Sequence, residues 1–434
     1  MKRLLIIPIL MIAGIVKGYS QTDTTKGVAF EHGLNWQGIL QKAKMENKFV
    51  FVDCYASWCG PCKIMDKKVY ANDSVGAFIN DKFISVRIQM DTTQKDDADT
   101  RHWYSTADVL GQKYHIGEYP SYLFFSPDGR AVHKALGEMD SKDFLRMARA
   151  AMDENQQYYT LLTKYRNGEK NYTLMPVLVS MADNLGQDSI LYQVARDYVC
   201  HYLTVLTEEK LWTRENIQFV YRYRDVVSYG DKMFQLYYQN RKMIDSAMKE
   251  PGVANNLINY VIYRDEIEPS VEKSLRSKTE PNWRQLKKNI ERSYGEYYAM
   301  NNVVHGRVEY YHSEKEWGEY VKYFIWQQEA NGIESWTNGR SNGFALNNNA
   351  YEVFQYGNRK WELRKALSWV NRSLSMAAKP YAFELDTKAN ILYKLGRKQE
   401  AMVLEEHCHE LTQNKQIQTN YQKMKNGLPT WLSE

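Results

Sequence analysis

Two cysteines separated by two residues, Cys59 and Cys62, sit in the stretch FVDCYASWCGPCK that runs from Phe51 to Lys63. The run before them is apolar nearly throughout and reads as a buried strand; the run after them reads as a helix. At such a junction the two sulfurs lie about one helical turn apart. Gly60 lets the chain turn, and Pro61 suits the first turn of a helix, where no backbone donor is needed. The sulfur of Cys59 then faces the unpaired amides and positive dipole end of that helix, which stabilise a thiolate. Each unit by which a thiol pKa falls is worth ~1.4 kcal/mol in favour of the charged form. The expectation is a half-exposed nucleophile at Cys59 and, nearer the core, a resolving thiol at Cys62. Two other uses of the pair are half of a zinc site and a structural bridge. Zinc needs four ligands, and no second C-x-x-C or spaced His pair follows. Trp58, Gly60 and Pro61 would be odd companions for a plain staple.

The elements that must position this pair alternate. Asn35 to Glu46 has apolar residues at helical spacing, Phe49 to Ala56 is the strand before the cysteines, and the helix from about Cys59 runs toward Tyr70. A short helix is expected over Ser74 to Asn80 and a strand over Phe83 to Met90. The polar, acidic stretch Asp91 to Arg101 reads as a loop insertion, followed by a helix over Trp103 to Tyr114. Ser121 to Phe125 is a strand, Ser126 to Gly129 a turn, AVHKAL its hairpin partner, and Ser141 to Met152 a closing helix. This order spells an α/β domain of about 125 residues.

WCGPC resembles the active site of the thioredoxin family, and the resemblance extends over roughly Phe30 to Met152. It is nearest to the exported, DsbD-like thioredoxin domains. The resemblance implies a thioredoxin fold in which Cys59 attacks a substrate disulfide and Cys62 resolves the mixed disulfide. It assigns to Asp53, six residues before Cys59, the role of the buried acid that moves the proton of the inner cysteine. Pro120 takes the place of the family's cis-proline, so that Tyr119 and Pro120, with Trp58, Gly60 and Pro61, line the substrate groove. The chain departs from the family in Tyr119, which is bulkier than the usual Ile, Val or Thr, and in the Asp91 to Arg101 insertion. No cofactor is implied beyond the redox-active Cys59–Cys62 disulfide. The implied partners are a disulfide-containing protein substrate and a membrane electron donor.

The rest of the chain frames this domain. Residues 1–20 have the layout of a secretory signal: Lys2 and Arg3, an apolar run from Leu4 to Val16, then Gly18 and Ser20. That run is short of the ~20 residues a spanning helix needs, so a periplasmic or secreted protein, not membrane-spanning after cleavage, is expected. The 57 basic and 52 acidic residues give a net charge of +5, and three of the positives, Lys2, Arg3 and Lys17, lie in the leader. Such a balance argues against charge-driven nucleic-acid binding. The thioredoxin-like domain is assigned to 21–154. From 155 to 434 strand-like runs give way to helical patterns, and the 33 Tyr of the chain suit helices packed side by side. Ala366 and Ala401, Trp369 and Leu404, and Ser373 and Cys408 repeat at a spacing of 35 residues. LDTKANILYKLGRKQEA, from Leu385 to Ala401, resembles a tetratricopeptide repeat, and hairpins of that type are expected at about 347–412. Cys54 reads as a packed thiol on the strand face opposite Asp53; Cys200 and Cys408 read as core residues, with a bridge between them left open. The His407-Cys408-His409 cluster lacks metal-ligand spacing, and His115 reads as loop structure. The expected function is thiol-disulfide exchange, most simply reduction, with the helical region positioning a partner. Rival readings are a helical-repeat adaptor with an idle disulfide, and a disulfide isomerase or oxidase.

Overall fold

The computed structural model describes residues 27–330, 332, 340–376, 379 and 381–431; the expected leader at 1–20 lies outside them. The chain divides into two compact units, one ending at Tyr198 and one beginning at Val199.

Strand β1 (Phe49–Tyr55) lies between β2 (Phe83–Gln89) and β3 (Ser121–Phe125), with β4 (Ala131–Leu136) beyond β3. β1 runs parallel to β2 and antiparallel to β3, and β3 and β4 form the antiparallel hairpin. Because β1 is covered on both faces, its side chains sort by parity rather than by polarity. Val50, Val52 and Cys54 pack against helices α1 (Trp36–Glu46) and α5 (Tyr104–Tyr114). Phe51 faces the other way, onto α2 (Gly60–Met65), α3 (Asp73–Lys82) and α6 (Ser141–Ala150). There it meets Phe124 and Phe144 at ring separations of 5.3 and 5.5 Å. Asp53 shares the parity of Phe51 and so lies on the α2 side, with Cys54 opposite, as the strand period requires.

Local signals place the helices. Asn35 caps α1 by accepting from the Gly38 amide, and Asn72 and Asp140 do the same for α3 and α6. The helix after Cys59 does run toward Tyr70, but Asp66–Tyr70 forms a widened turn continuous with α2. Gly76 in α3 touches Gly27 so closely that a Cβ would sit 2.2 Å from the Gly27 carbonyl oxygen; only glycine fits there. The Asp91 to Arg101 insertion is not all loop, since α4 (Ala98–His102) occupies its second half. Asp96 organises it, accepting from Thr93 N and Oγ1 and from the Tyr104 hydroxyl.

The first unit extends past the α/β layers. Helices α7 (Tyr158–Arg166), α8 (Met175–Asn184) and α9 (Asp188–Asp197) belong to it, although the change of texture near residue 155 groups them with the helical region. α7 is tied to β4 by the Tyr158 amide, which donates to His133 Nδ1 at 3.1 Å. Burial pushes His133 down to about 4, so at neutral pH that nitrogen is free to accept. Ring contact between Tyr114 and Tyr159 adds a second tie. Side-chain contacts of this kind join elements regardless of where the sequence pattern changes.

The second unit is helical among the described residues. Arg340–Tyr356 with Lys360–Met376, and Ala382–Lys394 with Lys398–Leu411, are consecutive helix pairs, followed by Lys415–Lys425. Two of the three pairs 35 apart share an environment: Ala366, Ala401, Ser373 and Cys408 are fully buried, whereas Trp369 is buried and Leu404 only half-buried. Small residues at these positions let the paired helices approach, and Gly396 (φ +87°) makes the turn of the second pair. Aromatic contacts run through the unit, among them Trp317 on Tyr356 at 4.2 Å and Tyr311 on Tyr323 at 5.7 Å.

Candidate active site

Cys59 is the N-cap of α2. Its backbone is extended (φ −70°, ψ 110°), and its sulfur accepts a hydrogen bond from the Cys62 amide at 3.1 Å. Pro61 sits in the first helical turn, where its missing N–H leaves no bond unmade. The two cysteines are joined as a disulfide. On reduction, the same amide and the helix end would face a Cys59 thiolate.

The sequence suggests a half-exposed outer sulfur; the structure does not have one. Cys59 is 2% exposed and Cys62 3%. The cover is specific: Ala56, Tyr55 and Tyr119 pack on the pair, and the Tyr119 ring meets Trp58 edge-on at 5.8 Å. Trp58 itself is 70% exposed. Tyr119 precedes Pro120 through a cis peptide bond, immediately before β3. Thus two separate segments, 55–62 and the one carrying Tyr119, bring Trp58, Cys59, Cys62 and Tyr119 into one cluster, with the Tyr119 ring forming part of the cover. Gly60 is open, with no atom within 4 Å of where a Cβ would stand.

Asp53 is 1% exposed and lies on β1, two residues before Tyr55. Burial pushes its carboxyl up to about 6, against the lowering pull of Arg87. Oδ2 accepts from Arg87 Nε at 3.0 Å, and the Tyr70 hydroxyl also hydrogen-bonds the Asp53 carboxyl. Arg87 went unnoticed in the sequence. It stands directly across from Asp53 in the parallel β1–β2 register, pairs also with Asp66 at 3.0 Å, and stacks on Tyr55 at 4.4 Å. An arginine inside the apolar run FISVRIQM was the available signal, because a charge in a covered strand demands a partner.

A second unforeseen feature is Asp91, the first residue of the insertion. It accepts from Ser57 N at 2.8 Å and from Ser57 Oγ at 2.5 Å, which ties the insertion to the loop carrying Trp58 and Cys59. The remaining candidates lie elsewhere. Cys54 is fully buried, and burial pushes its thiol far above the usual range. Cys200 and Cys408 are thiols, not a bridge. His409 stacks on Tyr421, and His115 ends α5 in the left-handed conformation (φ 51°), its carbonyl accepting from Lys134.

Comparison with known proteins agrees with this geometry. Residues 34–127 match the thioredoxin-like family model. The chain is 34% identical over 137 residues to the thiol:disulfide interchange protein DsbD of Pseudomonas fluorescens, covering 31% of this chain and 21% of that protein. It is 34% identical over 107 residues to DsbD of Colwellia psychrerythraea, covering 24% and 16%. The chain therefore spans about a fifth of the length of the curated relatives it matches. Among solved structures, a putative disulphide-isomerase from Bacteroides thetaiotaomicron is similar at 28% identity, with 30% of this chain and 95% of that one covered and a TM-score of 0.25. The strand order, the placement of the cysteine pair and the matched residues make the α/β part of this chain a thioredoxin-like domain, followed by an all-helical region.

Proposed function

We propose that this chain is a thiol-disulfide oxidoreductase that reduces protein disulfides, with its helical region holding a partner. The observation that carries the reading is the Cys59–Cys62 disulfide at the start of α2, with the Cys59 sulfur on the Cys62 amide. The name thiol:disulfide interchange protein, borne by the relatives, supports it. In the reduced protein the Cys59 thiolate attacks one sulfur of a substrate disulfide and expels the other as a thiolate. The Cys62 thiol then loses its proton, for which Asp53 is the buried acceptor, and attacks Cys59. The products are the substrate dithiol and the Cys59–Cys62 disulfide; the two electrons are restored by a dithiol donor, which we place at the membrane. Export through the leader at 1–20 to the periplasm or beyond fits this chemistry, since protein disulfides persist in such compartments. The helix pairs with their 35-residue spacing are read as tetratricopeptide-type hairpins. Among the described residues no helix is long and apolar enough to cross a membrane.

One observation favours a second reading. The near-complete cover over Cys59 suits a binding module whose disulfide is idle. Dithiol-driven reduction of insulin decides between them. The wild-type protein is expected to catalyse it and Cys59→Ser to lose it entirely; equal rates would leave the adaptor reading standing.

A further inference from the structure

The helical unit contains a hollow of about 290 Å³ whose walls come from three helical segments. Asn256, Asn259 and Tyr260 lie on the helix Val253–Ile262, and Tyr263 begins the widened turn Tyr263–Ile267 that continues it. Pro269, just beyond, has no N–H to give to the regular ladder, and the wider turn absorbs that loss. Asn301, Asn302 and His305 come from Glu296–Ser313, and Gln327 from Trp317–Ala330.

Among the described residues, no lining side chain carries a formal charge. Burial holds His305 below its ordinary range, and its Nδ1 lies 2.6 Å from Gln327 Nε2. Asparagine is a poor helix-interior residue, since its side chain competes for backbone groups. Here it recurs in facing helices. Asn302 is explained by its bond to Asn259 at 2.9 Å. Among the described residues no such bond engages Asn256, which is exposed, or Asn301, which is half-buried, and both border the hollow. A side-chain amide offers a donor and an acceptor together. That is the complement of a peptide group, and tyrosine faces beside it suit the apolar parts of a chain.

We propose that this hollow binds the main chain of an extended, uncharged polypeptide segment, through the amides of Asn256, Asn301 and Gln327. The proposal deepens the reading that the helical region holds a partner, and names what it holds by. Recognition of the backbone rather than of side chains would let one site serve many sequences. Stacked helices commonly present such concave surfaces.

The test uses the full chain carrying Cys59→Ser and Cys62→Ser, so that redox trapping plays no part, and a pool of blocked, uncharged peptides of random sequence. Binding of the pool is expected. Asn301→Ala and Asn256→Asp are each expected to weaken it at least tenfold without changing the thermal unfolding midpoint. Peptides N-methylated along the backbone are expected not to bind. No binding of the pool, equal binding of N-methylated peptides, or binding of maltotriose in place of peptide would overturn the proposal. Insulin reduction by the Asn301→Ala protein with both cysteines intact reports on the redox reading separately.

Discussion

Asp53 is an acid kept where its neutral form is favoured, with a folded-state pKa of about 6 against an ordinary value of 3.8. The folded chain therefore holds this proton more tightly than the unfolded chain. The resulting cost in stability is absent below about pH 4, grows between pH 4 and 6, and is complete above pH 6. A difference of this size corresponds to about 3 kcal/mol. Asp53→Asn is thus expected to stabilise the protein at pH 8 by about 1–3 kcal/mol, the lower figure allowing for the partner that Arg87 loses, and not at pH 4. Urea unfolding at the two pH values measures this, and a gain independent of pH would refute it. The same variant should reduce insulin more slowly and lack an inflection near pH 6 in its rate profile. Tyr119 is the other residue with a separable effect. If its ring is what closes the site, Tyr119→Ala in the reduced protein should let iodoacetamide modify Cys59 several-fold faster; an unchanged alkylation rate would place the cover elsewhere.

The insertion after β2 is an element with a task that its polar composition does not announce. Asp91 holds the amide and hydroxyl of Ser57, two residues before Cys59, and Asp96 holds the insertion in shape. Hydrogen bonds to a charged group contribute about 1.5–3 kcal/mol each, and less where water can replace them. Asp91→Ala is expected to lower stability by about 1–3 kcal/mol and to reduce kcat/KM for insulin reduction. A variant with lowered stability but unaltered turnover would show that the tether serves the fold alone. β2 acts likewise as a positioning element: its parallel register sets Arg87 against Asp53, and a one-residue slip would turn that guanidinium to the other face of the sheet.

Over the whole molecule, charged groups are buried in both units, and they differ in how they are satisfied. Asp53 has Arg87 beside it. In the helical unit, Glu405 is fully buried and its carboxyl shares a hydrogen bond with Asp386. Burial, and then the charge of Asp386, push it up to about 10. It is therefore neutral in the folded protein at pH 7, while the unfolded chain ionises it. The cost begins near pH 4.5, reaches about 3 kcal/mol at pH 7 and continues to grow up to about pH 10. Glu405→Gln is expected to raise stability at pH 7 by about 2–3 kcal/mol and to have no effect at pH 4.5, read by chemical denaturation. A loss at pH 7 would mean that an ionised carboxylate is needed there.

Local physics made part of this protein legible in its residues alone. The apolar run into Cys59, the Gly-Pro pair before Cys62, the caps at Asn35 and Asp140 and the turn at Gly129 act within a few positions, so strand, helix and turn follow from neighbours. The opposite facing of Asp53 and Cys54 needed only the strand period, and the 35-residue spacing of Ala366 and Ala401 needed only that helix pairs repeat. Partners brought from afar required the tertiary structure. Arg87 meets Asp53 through sheet register, Asp91 meets Ser57 across 34 positions, and Tyr119 closes over the disulfide from the β3 side. The first unit reaches Tyr198, and the amides of three helical segments converge on one hollow. Periodicity tells which face of an element is buried; which distant residue covers it is decided only when the chain packs.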